Sequence, residues 1–247
     1  MTSRLTAVWG NPGAGKSLVS LALAHRLTTM KQSVILISAS KLTPMARVFL
    51  PFLEEKPEHS LAKLLTGGIT PATLRQKIRL HPKNENLGIM TLVSADNALQ
   101  YQGSWDRAVI SELYYTIRER ELADHILIDC ASDLFGDNMT YWALETADRL
   151  LCVLSPDNRG VAFHLSQEPV LRSGSFQTED RIRVLNNAYD YSPAKQVAKD
   201  LEIRYVLPHC PEVYGKYLAG DPILRLYGKA GHRFEDGIRA LVKEVSN

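Results

Sequence analysis

Hydrophobic and polar positions follow two different periods along the chain, and the change of period marks the predicted elements. Short apolar runs predict buried strands, and apolar residues spaced three or four apart predict helices. Strands are predicted at 5–9, 33–39, 87–93, 125–129, 149–155, 181–187 and 203–208. Helices are predicted at about 16–30, 60–65, 104–122, 139–147, 193–201 and 233–245.

This alternation of strands and helices predicts an α/β fold. We expect a mostly parallel, twisted sheet of about seven strands with helices on both faces and right-handed crossovers. Residues 41–86 interrupt the pattern with five prolines, although Thr70 followed by Pro71 is typical of a helix start. We therefore expect one domain over residues 1–247, with 41–86 as an irregular insertion within it.

Composition limits the class of protein. The 247 residues are 45% hydrophobic and 23% charged with a net charge of +2, which is ordinary for a globular protein and gives no strong field for an acidic partner. The sequence shows no signal-peptide pattern and no apolar run near the roughly 20 residues of a membrane span. The three cysteines follow no metal-binding spacing. The expectation is a cytoplasmic protein without an integral membrane segment.

The first predicted strand leads directly into a loop of the pattern G-x-x-x-x-G-K-[ST]. The loop consists of Gly10, Asn11, Pro12, Gly13, Ala14, Gly15, Lys16 and Ser17. Glycines allow backbone N–H groups to approach phosphate oxygens closely, and the following helix directs its positive end to the same place. We expect Lys16 to reach the β- and γ-phosphates, Ser17 to ligate Mg²⁺, and Leu18 to complete the nucleotide-binding segment. The loop thus predicts ATP or ADP with Mg²⁺ as ligand.

A carboxylate at the end of a neighbouring buried strand is the usual second component of such a site. Asp129 ends the apolar run HILID and is the best candidate to hold Mg²⁺, which makes Lys16 and Asp129 the predicted catalytic pair. Asp133 and Asp137 are nearby alternatives that fit turn positions better. Asp129 could instead cap the turn that follows its strand.

Five segments carry a resemblance to a known family, and they occur in the family's order. They are VWGNPGAGKS at 8–17, ADHILIDCAS at 123–132, ETADRLLCVLSPD at 145–157, RVLNNAYDY at 183–191 and VLPHCPEVYGKYLAGDPI at 206–223. The chain resembles the MinD/ParA group of P-loop ATPases, in particular its TadZ/CpaE-like pilus-localisation branch. The resemblance covers most of the chain and is weakest over residues 41–86.

The resemblance implies a protein that closes into an ATP-bound homodimer and separates on hydrolysis. It also implies that Asn186, with Asn187 beside it, faces adenine and that the backbone around Pro208 flanks the base. Simpler explanations stay open, since two asparagines after a strand are common in turns and Pro208 could merely end its strand.

Two departures from the family pattern concern hydrolysis. Asn11 stands where the family carries a lysine that reaches into the partner's site. The segment from Ser38 to Lys41 stands where the family places aspartates that assist Mg²⁺ and the attacking water. We therefore expect weak ATP hydrolysis unless Lys41, Arg159 or a partner protein compensates.

The function implied by the resemblance is a nucleotide-dependent dimerisation and positioning switch. A pilus or secretion ATPase is the implied partner, and recruitment to the membrane or the cell pole would depend on it. A ParA-type DNA partition ATPase and a small-molecule kinase or ligase on the same fold remain alternatives. The basic stretch at residues 75–83 is the main signal for DNA, but a solvated surface explains it more simply.

Overall fold

The computed structural model describes residues 3–38, 40–96, 105–172, 176 and 181–246. Within them a single sheet has the strand order β3-β4-β2-β5-β1-β6-β7-β8. The strands are β1 Arg4–Gly10, β2 Val34–Ser38, β3 Arg79–His81, β4 Asn84–Thr91, β5 His125–Asp129, β6 Arg149–Leu154, β7 Ile182–Ala188 and β8 Tyr205–Pro208. Every strand pair is parallel except β3 with β4.

Helices cover both faces of this sheet. They are α1 Lys16–Thr28, α2 Ala46–Phe49, α3 Leu61–Gly67, α4 Pro71–Lys77, α5 Arg107–Glu119, α6 Asn138–Thr146, α7 Asn158–Arg172, α8 Ala194–Asp200, α9 Pro211–Leu218 and α10 Gly228–Ser246. One apolar cluster contains the buried side chains of α3, α5 and α6, and the other contains those of α1 and α10. Among the described helices, none has the length and apolar content that crossing a bilayer requires.

The order of the central strands brings the predicted functional residues to one edge of the sheet. β1 lies between β5 and β6, and β5 lies between β1 and β2. In this register Asp129 is opposite Val8 of β1 on one side and Ser38 of β2 on the other. The carboxyl ends of parallel strands are where open α/β sheets bind ligands, so the loop after β1 emerges beside Asp129.

The α/β class, the mostly parallel sheet and the two helical layers are confirmed, but the sheet has eight strands rather than about seven. The additional strand, β3, lies at an edge and lies within the segment that we predicted to be irregular. Three residues are too few to show a period in the sequence. The same segment holds α2, α3 and α4, with Ser60 capping α3 and Thr70 forming a capping box with Thr73 at α4.

Two helices that line the carboxyl edge were also missed. α7 buries fully only Gly160 and Leu171 and contains Pro169, so its sequence lacks a clear apolar stripe. α9 starts at Pro211, where proline is favoured because the first helical N–H needs no partner. The predicted strand end at Ala39 and helix start at Ser104 lie outside the described residues.

Candidate nucleotide-binding site

The loop between β1 and α1 depends on its glycines for packing as well as for exposure of its backbone. A Cβ on Gly10 would lie 1.8 Å from the carbonyl oxygen of Val153, so the close approach of β1 to β6 requires glycine there. A Cβ on Gly15, whose φ is +85°, would lie 2.4 Å from Nδ2 of Asn186. Gly13, with φ of +76°, has nothing within 4 Å of such an atom. Only this third glycine leaves open space, as the sequence argument expected of all three.

Lys16 lies folded over the loop with its ammonium group surrounded by oxygen atoms. It donates to the Ser132 hydroxyl at 2.7 Å and to the carbonyl oxygens of Gly10 and Asn11 at 3.3 and 3.4 Å. Burial lowers the pKa of Lys16, while the nearby Asp129 opposes that shift. The loop therefore holds a desolvated cation whose present acceptors are all uncharged, which suits exchange for phosphate oxygens.

Asp129 joins the phosphate-loop helix to β2. Its Oδ2 accepts hydrogen bonds from the hydroxyls of Ser17 at 2.7 Å and Ser38 at 3.2 Å. The side chain is buried, and Oδ1 has no hydrogen-bond partner among the described residues. Burial raises the pKa of Asp129 to about 6, against the opposing effects of Ser17, Lys16 and Ser38.

These groups fit a magnesium ion. Mg²⁺ prefers oxygen ligands and commonly binds proteins through one or two carboxylates and water. Asp129 supplies an unpartnered carboxylate oxygen beside the Ser17 hydroxyl, and a cation there would favour the ionised carboxylate that burial disfavours. Ser17 and Asp129 are thus placed together as predicted for the metal site.

Asn11 has a structural contact pattern that the sequence did not reveal. Its Oδ1 accepts from the backbone N–H of Ser155 at 2.9 Å, and its Nδ2 donates to the Ser155 hydroxyl at 3.1 Å. The Ser155 hydroxyl donates onward to Asp157, which binds Arg159 through two nitrogen atoms. Asn11 therefore ties the phosphate loop to the end of β6, and its side chain points inward rather than toward a partner.

A cleft of about 590 Å³ opens beside the loop, between β7, β8 and α9. Its lining includes Gly13, Ala14, Gly15, Lys16, Ser17, Leu18, Asn186, Asn187 and Pro208 from the predicted set. The remaining loop residues Gly10, Asn11 and Pro12 are not among its lining residues. These nine predicted residues therefore line one continuous cleft, which runs from the loop to the ends of β7 and β8.

The two asparagines differ in their contacts. Asn186 is buried and its Nδ2 donates to the carbonyl oxygen of Ala14 at 2.8 Å, so it supports the phosphate loop directly. Asn187 is exposed, has φ of 62°, and its Oδ1 lies 2.7 Å from Nδ1 of His209. Pro208 ends β8 and also lines the cleft. Its position therefore fits both interpretations of Pro208, as a residue that flanks the base and as the end of its strand.

Sequence reasoning missed several residues of this cleft. The His209 ring stacks on Tyr189, with ring centroids 4.0 Å apart and an interplanar angle of 20°. Tyr214 and Tyr217 line the cleft from α9. Ser132, the partner of Lys16, was also missed. The signal for His209 and Tyr189 was their position just after the ends of β8 and β7. For Ser132 it was the spacing of three residues from Asp129.

No family model and no curated protein sequence matches this chain. Solved structures do match it. The septum site-determining protein MinD of Pyrococcus horikoshii, complexed with Mg-ADP, is 19% identical with a TM-score of 0.76, covering 98% of this chain and 96% of its own. A ParA family ATPase from Chlorobium tepidum is 16% identical with a TM-score of 0.76, covering 98% of both chains.

A third similar structure is the ATP complex of a Cyanothece McdA variant, which is 15% identical with a TM-score of 0.73 and covers 98% of this chain and 96% of its own. Identities this low establish the fold and leave the ligand and the partner of this chain to be argued from its own residues. Over nearly its whole length, the chain has the fold of the MinD/ParA P-loop ATPases.

Proposed function

We propose that this protein binds ATP or ADP with Mg²⁺ in the cleft beside the phosphate loop and uses the nucleotide as a dimerisation and positioning switch. One observation carries the proposal. Lys16 and Ser17 line a cleft of about 590 Å³ that is large enough for a nucleotide, and Ser17 donates a hydrogen bond to the buried Asp129 behind it. Similar structures contain Mg-ADP or ATP, which supports this ligand class.

The residues have distinct roles in this proposal. Backbone N–H groups of the loop and the start of α1 bind phosphate oxygens, and Lys16 leaves Ser132 to neutralise their charge. Ser17 and Asp129 hold Mg²⁺, which supplies charge neutralisation at the phosphates when it is bound. Asn186 and Asn187 face the base, and Asn186 couples that end of the cleft to the loop through Ala14.

Calorimetric titration with Mg-ATP and Mg-ADP tests nucleotide binding. The wild-type protein is expected to bind, and Lys16→Ala is expected to lose at least about 2 kcal/mol of binding free energy because a charge-assisted contact to phosphate is removed. Lys63→Ala, an exposed lysine on α3, is the control and should bind like the wild type. Equal affinity in all three proteins, or binding in none, rules the proposal out.

The same geometry supports weak hydrolysis. Turnover depends on groups that act on the transition state, such as a residue that positions the attacking water and a cation that neutralises developing charge. Ser38 stands where the family places a carboxylate, and its hydroxyl donates to Asp129. Asn11 forms hydrogen bonds to Ser155 with both polar atoms of its side chain. Neither residue is available for those tasks.

Steady-state ATPase activity of the purified protein measures this consequence. We expect turnover well below about one per second, the lower end of typical enzyme rates. Faster turnover that Lys16→Ala abolishes, without any partner protein, would show that other groups such as Lys41 or Arg159 provide the missing chemistry.

We also propose a single domain, a homodimer as the ATP-bound state and a place in the TadZ/CpaE-like branch. In that branch the protein would lie in the cytoplasm and recruit a pilus or secretion ATPase at the membrane or the cell pole. The branch assignment rests on the sequence resemblance. Co-purification of the ATPase only with ATP-bound protein would support it, and co-purification that is insensitive to Lys16→Ala would contradict it.

DNA partition remains the weaker alternative, because most of the basic stretch is committed to other contacts. Lys77 donates to the carbonyl oxygen of Glu58, Arg79 contacts His59, and Lys83 pairs with Asp221. His81 is buried. Only Arg75 of this stretch stands exposed without a side-chain contact in the described part of the chain.

A further inference from the structure

One tyrosine of the cleft beside the loop has a polar group that the protein leaves unused. Tyr217 lies in the last turn of α9, is half-buried, and lines the cleft together with Lys16 and Ser17. Its ring packs against the apolar cluster that contains the buried side chains of α1 and α10. Its hydroxyl has no hydrogen-bond partner among the described residues. The cleft therefore contains a donor for which the protein supplies no acceptor.

Two other shielded tyrosines do use their hydroxyls within the protein. Tyr114 is buried on α5 and donates to the carbonyl oxygen of Met139 at 2.9 Å. Tyr205 is half-buried on β8 and donates to a carboxylate oxygen of Glu244. A tyrosine hydroxyl that is shielded from water usually has a hydrogen-bond partner, so the hydroxyl of Tyr217 is a group that a bound ligand can complete.

The charges around Tyr217 indicate the part of the cleft in which its hydroxyl lies. Burial raises the pKa of Tyr217 well above its ordinary value, and the negative charge of Asp129 raises that pKa further, with a smaller effect from Tyr214. Because Coulomb interactions weaken with distance, the hydroxyl lies near the carboxylate that accepts from Ser17. This is the end of the cleft where we propose that Mg²⁺ and the phosphates bind.

The helix that carries Tyr217 is anchored at both of its ends. Near its start, Glu212 accepts a hydrogen bond from the backbone N–H of Tyr227 at 2.8 Å. Just after its end, Gly220 has φ of +59°, and a Cβ there would lie 2.2 Å from Cγ of Pro51. The close approach to Pro51 and the left-handed backbone both require glycine at this position. These contacts hold α9, and with it Tyr217, in place along the cleft.

We propose that the Tyr217 hydroxyl donates a hydrogen bond to a phosphate oxygen of the bound nucleotide, which makes Tyr217 a further binding residue of the cleft. The inference rests on the proposed function. Among the groups of a nucleotide, ionised phosphate oxygens are the strongest acceptors for such a donor. The phenol stays protonated at neutral pH because its pKa is raised, so it donates to an anion rather than repelling it.

Calorimetric titration of Tyr217→Phe on the full chain tests the proposal. The ligands are Mg-ADP and Mg-pyrophosphate, because pyrophosphate keeps the phosphate groups and lacks the base and the ribose. We expect the variant to bind both ligands about tenfold more weakly or worse than the wild type, since it loses one hydrogen bond to an ionised acceptor. Tyr115→Phe makes the same chemical change at an exposed position of α5 outside the cleft, and it should bind like the wild type.

Urea unfolding without ligand separates a binding role from a structural one. Because the Tyr217 hydroxyl has no partner in the unliganded protein, its removal should leave the midpoint of unfolding unchanged. The weaker binding of Tyr217→Phe is then a property of the liganded state alone. A midpoint that falls in Tyr217→Phe but not in Tyr115→Phe would show that the hydroxyl serves the fold, and it would contradict the proposal.

The titrations also distinguish failure of this inference from failure of the proposed function. If Lys16→Ala loses binding and Tyr217→Phe binds both ligands like the wild type, the inference is wrong and the proposed function stands. If Tyr217→Phe weakens the binding of Mg-ADP and not of Mg-pyrophosphate, the hydroxyl contacts the ribose or the base and the assignment to phosphate is wrong. If the wild type binds neither ligand, the proposed function and the inference fail together.

Discussion

Asp129 shows how one buried residue connects ligand binding to stability. Its pKa is raised to about 6 by burial, so without ligand the ionised carboxylate is disfavoured in the folded state. Because the folded-state pKa exceeds the unfolded one, the protonated Asp129 favours the folded state relative to the ionised one. This contribution to the free energy of unfolding is fully present below about pH 4 and is lost as the pH rises through about 6. Above pH 6 the difference of about two units amounts to about 3 kcal/mol.

Asp129→Asn removes this penalty. The amide oxygen can still accept from Ser17 and Ser38, so we expect the unliganded variant to be more stable than the wild type at pH 8, by up to about 3 kcal/mol. At pH 4 the two proteins should differ little. Urea unfolding at both pH values measures the change.

The same variant should lose the stabilisation that Mg-nucleotide gives the wild type, which is about 2.7 kcal/mol at a hundredfold excess of ligand over Kd. Ser38→Ala, which removes one hydrogen bond to the carboxylate, is the matched control and should retain most of it. Strong destabilisation of unliganded Asp129→Asn at pH 8 would instead indicate that the carboxylate serves the fold.

At the scale of elements, a buried histidine joins the end of α1 to two distant segments. The centre of the His25 ring lies 5.2 Å from that of His81, the last residue of β3, at an interplanar angle of 80°. Nδ1 of His25 accepts from the N–H of Ile223, and Nδ1 of His81 accepts from the N–H of Lys83. Each neutral ring therefore carries its proton on Nε2. This tautomer leaves no lone pair on Nε2 for a metal.

The pair predicts a loss of stability in acid. Burial lowers the pKa of His25 to about 3, with His81 adding a smaller effect. Because the folded-state pKa of His25 is lowered, its contribution to the free energy of unfolding is fully present above about pH 6.5. That contribution is lost as the pH falls toward 3. At pH 5 we expect a loss of about 2 kcal/mol from His25 alone.

Urea unfolding of wild type and His25→Gln at pH 8 and pH 5 checks this value. Glutamine can accept the hydrogen bond from Ile223 but does not titrate, so the variant should lose about 2 kcal/mol less than the wild type between the two conditions. His232→Gln, at an exposed position of α10, should behave like the wild type. An equal pH dependence in all three proteins would contradict the account.

Elements with a strong local pattern were predictable from the sequence, and those defined by tertiary contacts were not. The loop at 10–17 and the run ending at Asp129 are recognisable in the sequence, because the loop has a fixed spacing of glycines and the run is continuously apolar. β3 has three residues and exists through its pairing with β4. α7 fully buries only Gly160 and Leu171 and contains Pro169. Such elements take their structure from neighbours rather than from their own sequence.

The site shows the same division at the level of contacts. Sequence spacing predicted that Lys16, Ser17 and Asp129 would meet, because the topology of alternating strands brings the carboxyl ends together. It could not predict that Ser132 would hold Lys16 or that Gly10 is required by Val153. Those contacts join residues more than a hundred positions apart, and a single sequence carries no record of them.

At the scale of the whole molecule, the two ends of the sheet have different chemistry. The carboxyl edge holds the loop between β1 and α1, the buried Asp129 and the cleft proposed to bind nucleotide. The amino edge holds a cleft of about 540 Å³ whose lining includes Arg4 and Arg118. Groups suited to the ground state of ATP are present, whereas Ser38 and Asn11 are engaged elsewhere. The proposed function therefore predicts a long-lived ATP-bound state, which suits a switch better than a rapid enzyme.

Sedimentation velocity tests the central claim most directly. The chain of 27.6 kDa is measured without ligand, with Mg-ADP and with Mg-ATP, alongside Lys16→Ala. We predict a monomer without ligand and with Mg-ADP, a dimer with Mg-ATP, and a monomer for the variant under every condition. A sedimentation coefficient that is the same in all conditions, for wild type and variant alike, would contradict a nucleotide-dependent switch.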